Sequence, residues 1–258
     1  MKGPTCLNIS GYRFFLIILC VVFTLHSCQD KHKSEEKALT SSQTSLIDLC
    51  PKYGTDKCAD RHNFIEFYQA LFEPIKDSVT NVLEIGILNA RSHLMWQEYF
   101  VNAEIYGIDI NDCSRYDSLG IKTFKADQSN RTELAAFTDM YPGPYDIIID
   151  DGGHHMDQQQ ISLGYFFKFL KPGGLYIIED LHTSTPFYYN GYDGFGVNED
   201  SSNTTLRMLE KYLNQNIWES KFINKNELSY MGSKIASVSI LRRNNEWQSM
   251  MGVLKKTK

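Results

Sequence analysis

The sequence lacks an excess of positive charge. Its 258 residues hold 26 Lys and Arg against 31 Asp and Glu, a net charge of −5, so no basic field is present to attract nucleic acid. It lacks a CxxC pair, and its six cysteines are irregularly spaced, which suggests neither a zinc knuckle nor a disulfide scaffold. It lacks an apolar run of the roughly 20 residues that a membrane helix needs. No G-x-G-x-x-G comes after its first strand-like segment, which removes the phosphate cradle of a dinucleotide-dependent dehydrogenase. What remains is enzyme-like: 42% hydrophobic and 13% aromatic residues can bury a sizeable core, in one large domain or one domain with an extension.

The N-terminus differs in kind from the rest. In "RFFLIILCVVFTLHSC", Arg13 precedes an apolar run from Phe14 to Leu25, too short for a span and suited to the h-region of a secretory signal. Leu25-His26-Ser27-Cys28 is similar to a bacterial lipobox, with an unusual histidine at its second position. A buried helix of the domain is the alternative. "QDKHKSEEKALTSSQTS" comes next and reads as a linker. The expected division is a signal or membrane anchor over 1–28, a flexible linker over 29–45 and a folded domain over 46–258. Lys31, Lys33 and Lys37 flank the far side of the run, so charge leaves the side of the membrane open.

Within the domain, apolar runs alternate with helix-like segments. "NVLEIGIL" (Asn81 to Leu88), "EIYGIDI" (Glu104 to Ile110) and "YDIIIDD" read as buried strands, and Leu175 to Ile178 as another after the turn Pro172-Gly173-Gly174. "SHLMWQEYF", "DQQQISLGYFFKFL" and "NTTLRMLEKYLNQN" read as helices, and "ASVSILRR" as a late strand. This alternation predicts an α/β fold with a parallel sheet covered on both faces, whose ligands bind beyond the carboxyl ends of the strands.

Acids collect at those ends: Glu84, Asp109, Asp127, Asp150-Asp151 and Glu179-Asp180. Any one of them alone reads as a helix cap or a solvated turn. Together they suit a nucleoside-bearing cofactor, with Gly86 admitting a close backbone approach and a carboxylate after the second strand reaching ribose hydroxyls.

The ordered set "YGTDK", "LEIGILNARS", "IYGIDI", "ADQS", "IIIDDGGHH" and "LKPGGLYIIEDLHTS" resembles the class I S-adenosylmethionine-dependent methyltransferases, and within them the metal-dependent macrolide and polyketide sugar O-methyltransferases. The resemblance covers most of residues 50–185. It implies a doubly wound, mostly parallel seven-stranded Rossmann-like sheet with an antiparallel last strand, a place that "ASVSILRR" would suit. It implies that Glu84 and Gly86 lie at the methionine end of S-adenosylmethionine, Asp109 on the ribose and Asp127 beside the adenine. Tyr53, Thr55 and Lys57 match a segment that closes over the cofactor. Asp151, Glu179 and Asp180 match the carboxylates that hold Mg²⁺, and His154 matches the general base. Ala90 departs from the family's usual glycine, which implies a slightly tighter loop.

The chemistry agrees with these assignments. Mg²⁺ takes hard oxygen ligands and leaves positions for substrate oxygens, which fits three carboxylates better than the N- and S-rich chemistry of zinc. A histidine titrates close to neutrality and suits proton removal from a hydroxyl. His155 and His182 read as rim residues or as participants, and "YYNGYDGFG" (Tyr188 to Gly196) as an acceptor loop or a plain surface loop. The expected activity is O-methylation of a sugar or glycosylated small molecule. A non-catalytic binding or assembly protein of the same fold, tethered to a membrane, is the alternative. Asn130-Arg131-Thr132 and Asn203-Thr204-Thr205 are glycosylation sequons, although a glycan at Asn130 would crowd the adenine end.

Overall fold

Runs of β-branched residues become central strands where both faces are covered. The computed structural model describes residues 44–185, 202–244 and 246–258 and shows seven strands. They are β1 (Asn81–Ile85), β2 (Glu104–Asp109), β3 (Ile121–Lys125), β4 (Tyr145–Asp150), β5 (Leu170–Ile178), β6 (Ile235–Arg243) and β7 (Glu246–Lys256). One sheet contains them all in the order β3-β2-β1-β4-β5-β7-β6. β1 to β5 are mutually parallel, and β7 is antiparallel to both β5 and β6. The order reverses at β1, which places a crevice between the carboxyl ends of β1 and β4.

Successive side chains of the central strands feed different cores. Ile147 and Ile149 pack with Val82, Leu175 and Ile177 under α1 (Leu46–Tyr53), α2 (Ile65–Phe72) and α3 (Arg91–Tyr99). Ile148 packs with Leu83, Ile85, Tyr176 and Ile178. That second face is covered by α4 (Arg131–Met140), α5 (Met156–Phe166), α6 (Thr205–Gln215) and α7 (Lys225–Lys234). Period-two alternation inside an all-apolar run gives a three-layer domain, and Ser45–Lys258 is one compact unit.

Three expectations need correction. The strand inserted into the sheet is β7, while "ASVSILRR" lies within β6 at the edge. β7 carries the buried Met251, Val253 and Leu254, whereas β6 is half-buried or exposed apart from the buried Val238, as an edge position permits. "FFKFL" is not continuous helix: α5 stops at Phe166, Phe167–Phe169 is a 3₁₀ turn and β5 begins at Leu170. Finally, Cys50 and Cys58 form a disulfide. The eight-residue separation carried no signal, because the pair meets only once α1 has ended at the left-handed Gly54 (φ 61°) and the chain has folded back.

The domain begins cleanly. Ser45 caps α1 by accepting the Asp48 N–H at 3.1 Å, and the Leu46 N–H is bound by Gln69 Oε1 at 2.6 Å. A chain starting at Ser42 is expected to be soluble and to melt as cooperatively as the full-length protein; aggregation or a lost transition would place the earlier residues in the core. The N-terminal apolar run and "YYNGYDGFG" lie outside the described residues. Among the described residues, no helix is long and apolar enough to cross a membrane.

Candidate active site

The loops that leave β1, β2, β3, β4 and β5 wall a single cavity of about 570 Å³, within the range of cofactor-sized pockets. The β1 loop is shaped by its neighbours. Gly86 (φ 95°) passes so close to β4 that a Cβ there would stand 2.0 Å from the carbonyl oxygen of Asp151. Asp109, at the end of β2, then holds the rest of that loop. Its Oδ2 accepts the N–H groups of Ile87 (2.8 Å) and Leu88 (3.1 Å), and its Oδ1 accepts the backbone and side-chain N–H of Asn111. Against the cost of burial, these N–H groups hold the Asp109 carboxyl below its usual range.

Six non-glycine residues have positive φ among those described, and four of them belong to these loops: Leu88, Ala90, His154 and Asp180. Backbone of this kind concentrates at functional sites. It also explains the family's glycine at position 90: Ala90 holds φ 59° while fully buried, a conformation that costs a non-glycine residue about 1–2 kcal/mol.

The sequence "DDGGHH" separates into distinct tasks. Asp150 is buried and accepts from Ser162 Oγ, from Gln128 Nε2 at 2.9 Å and from the Tyr176 hydroxyl at 3.3 Å. It clamps the sheet to α5, and burial pushes its carboxyl pKa up. Asp151 faces the cavity. Gly152 and Gly153 leave room for glutamine side chains, since a Cβ would meet Gln128 Oε1 at 1.8 Å or Gln158 Oε1 at 2.0 Å. His154 enters the cavity wall, and His155 caps α5 away from it.

Two groups of ligand-type residues adjoin at Asp151. In the outer group, Asp151, His154 and Asp180 offer atoms within 4.8 Å of one another. Asp180 is ringed by imidazoles: His62 Nδ1 at 3.1 Å, His154 Nε2 at 3.4 Å and His182 Nδ1 at 3.5 Å. Burial opposes its ionisation, yet the three histidines hold its carboxyl well below the usual range. The hydrogen bond to Asp180 raises the His62 pKa, whereas burial lowers that of His182. Thr183 Oγ1 donates to the His154 carbonyl at 3.1 Å, tying the two loops together.

The inner group contains Glu84, Asp151 and Glu179. Lys57 Nζ stands 2.5 Å from Asp151 Oδ2, 2.8 Å from Glu179 Oε1 and 3.3 Å from Glu84 Oε1. Tyr68 also donates to Glu179. Burial and the neighbouring Asp151 push the Glu179 carboxyl up, and burial pushes Asp151 up to about 7.

The sequence-based assignments divide accordingly. Gly86, Asp109, Asp127, Thr55, Asp151, Asp180 and His154 line the cavity, with His182. Glu84 lies beneath the wall: Ser92 Oγ and Trp96 Nε1 donate to it at 2.9 and 2.8 Å, and His93 Nδ1 lies 3.2 Å away. Its position in the strand aims it at the α3 face. Tyr53 is also outside the cavity and donates to Glu98. Glu179 is turned inward to Lys57 and Tyr68, away from the outer group. His62, Arg61, Gln128, Gln158 and Gln248 line the cavity without having been singled out. A lone histidine five residues after Lys57 has no signature of its own.

By fold and sequence the chain belongs to the class I S-adenosylmethionine-dependent methyltransferases. Its relatives there are macrolide and polyketide sugar O-methyltransferases. It is 34% identical over 180 residues to mycinamicin VI 2''-O-methyltransferase of Micromonospora griseorubida, covering 67% of this chain and 44% of that protein. It is 36% identical over 180 residues to demethylmacrocin O-methyltransferase of Streptomyces fradiae, covering 66% and 43%. The chain thus spans less than half the length of these relatives. Among solved structures it is similar to MycE methyltransferase in complex with Mg, SAH and mycinamycin VI, with TM-score 0.67 and 28% identity over 83% of this chain and 55% of that one. No family model matches the chain.

Proposed function

We propose that the protein transfers the methyl group of S-adenosylmethionine to a hydroxyl of a sugar or glycosylated small molecule, with Mg²⁺ as the activating ion. The observation that carries this reading is the outer group. Two carboxylates and one imidazole from the ends of β4 and β5 converge beside a cofactor-sized cavity, and the buried Nδ1 of His154 has no hydrogen-bond partner. Hard oxygens from adjacent strand ends suit Mg²⁺, and MycE binds Mg and SAH at 28% identity to this chain. The relatives give no support to the non-catalytic, membrane-tethered alternative.

Asp151 and Asp180 would hold the ion, with Glu179, whose Oε1 faces Lys57 and Tyr68, beside them. The sulfonium supplies the methyl electrophile, and the ion supplies Lewis acidity toward the acceptor hydroxyl. His154 would take the proton of the acceptor hydroxyl; the cofactor would supply the methyl group as its methyl–sulfur bond breaks, with the neutral thioether as leaving group. Leu88 and Ile110, exposed by 75% and 60% at the cavity edge, offer apolar surface to a flat base. Asp127, whose Oδ1 accepts from the Ser129 N–H and hydroxyl, is held rigid at the same end. Thr55 and Asp56 close the opposite wall.

Calorimetry with S-adenosylmethionine, with and without Mg²⁺, combined with methyl-transfer assays on a panel of glycosides, tests the reading. Binding without transfer to any hydroxyl acceptor would overturn it. Asp109→Ala is expected to weaken cofactor binding by about 1–3 kcal/mol, because the loop N–H groups and the ribose would lose one charged acceptor. Unchanged affinity in the same titration would remove Asp109 from the site.

For location, the proposal is that residues before about Gln29 direct the protein to a membrane. The Cys50–Cys58 disulfide supports this, since such bonds persist in oxidising compartments. Cell fractionation of the full chain against the chain starting at Ser42 decides it: equal distribution would overturn the proposal. At Asn130, the side chain accepts the Thr132 N–H at 3.1 Å and donates to Glu133 at 2.7 Å, so a glycan there would displace the cap of α4.

A further inference from the structure

Lys57 is among the largest side chains in the molecule to be fully buried, at 1% exposure. Burying an ammonium is costly unless it is paired and hydrogen-bonded. Here three carboxylates lie within ion-pair distance of it, those of Asp151, Glu179 and Glu84, and Asp151 accepts a hydrogen bond from it. The same three carboxylates form the inner group whose oxygens are spaced to hold a metal ion. The ammonium thus stands where a cation would bind.

The backbone around Lys57 is fixed as firmly as its side chain. Its carbonyl accepts the N–H groups of Phe64 and Ile65, both at 3.0 Å, at the start of α2. Its neighbour Cys58 is bonded to Cys50, and Thr55 and Asp56 just before it line the cavity. One side chain therefore joins the segment that closes the cavity to Asp151, the residue shared by the inner and outer groups.

We propose that Lys57 is the resident cation of the inner carboxylate group. It occupies the place of a second metal ion, orients Asp151 toward the outer group and limits the site to one divalent ion. The inference rests on the metal reading of the outer group but can fail separately from it. Lys57 is a positioning residue: it lies behind the cavity wall and reaches the reaction only through Asp151.

The experiment compares wild type, Lys57→Met, Asp180→Asn and the Lys57→Met/Asp180→Asn pair by thermal melting and by calorimetric titration with Mg²⁺ alone. Wild type is expected to take about one ion per chain, and Lys57→Met about two, with a lower metal-free melting temperature and a larger rise on adding Mg²⁺. Asp180→Asn should lose the ion, and the double variant should regain one in the vacated inner group. If Lys57→Met does not fold without metal, Lys57→Met/Glu84→Gln removes one charge of each sign and leaves Asp151 and Glu179 for the ion; it too should gain Mg²⁺ stabilisation over wild type. A thermal rise and stoichiometry equal to wild type in both lysine variants would overturn the proposal. A response in the lysine variants but not in wild type would keep Lys57 as the cation of the inner group while overturning both the one-ion limit and the metal reading of the outer group. Silence in all of them would sink both.

Discussion

Replacing His154 by alanine is expected to lower the methyl-transfer rate by roughly 10²–10⁴-fold, the usual contribution of a general base, while leaving cofactor affinity nearly unchanged. The expectation comes from how the residue is held. Its backbone is left-handed, with φ 60°, and its carbonyl is fixed by Thr183. Its ring lies 3.4 Å from Asp180 through Nε2. The imidazole can therefore take a proton from an acceptor lying over Asp151 and Asp180. Asp180→Ala should behave differently, removing the Mg²⁺-induced rise in melting temperature together with turnover. The comparison discriminates because His154 also stands among the candidate ligands. Should His154→Ala abolish the Mg²⁺ response as completely as Asp180→Ala, the histidine is a ligand. The base is then His182 or His62, which face the same carboxylate.

Gly86→Ala is expected to destabilise the fold by roughly 2–5 kcal/mol, adding the cost of overpacking to that of left-handed backbone. The added methyl would lie 2.0 Å from the Asp151 carbonyl oxygen and 2.8 Å from its carbonyl carbon, so backbone must move on one strand or the other. β1 and β4 are paired through Ile85↔Asp150, and the Asp151 N–H is bound by the Ile85 carbonyl at 2.9 Å. Separating them also moves Asp151 away from Asp180. Denaturant melts should show the lost stability, and S-adenosylmethionine titration the lost binding. A variant that melts within about 0.5 kcal/mol of wild type, the range of an ordinary surface change, would show that the loop has room that the structure denies it.

The central strands were legible because burial on both faces demands apolar residues at every position. Ile147, Ile148 and Ile149 could be little else, and the turn chemistry around them placed Gly86, Asp109, Asp127, Asp151 and Asp180 at one edge. The acids after those strands define the cavity wall because chain direction and the parallel sheet fix which ends they reach. Less was legible where neighbours decide. Glu84 reads as a cofactor acid, but strand periodicity aims it beneath the wall at Trp96 and Lys57. Tyr53 lies two residues from Thr55, yet it packs half-buried against the core under α1 to α3 and donates to Glu98.

By itself, the sequence determined the α/β class, the strand cores and the set of residues at the carboxyl edge, because each comes from local patterning of apolar residues, glycines and acids. Only the tertiary structure decided that β7 inserts between β5 and β6, that Cys50 meets Cys58, that His62 reaches Asp180 and that Lys57 fills the inner carboxylate group. All four depend on contacts between segments far apart in the chain or on the path of a turn, and the energies that select them come from burial and charge pairing after the sheet has assembled.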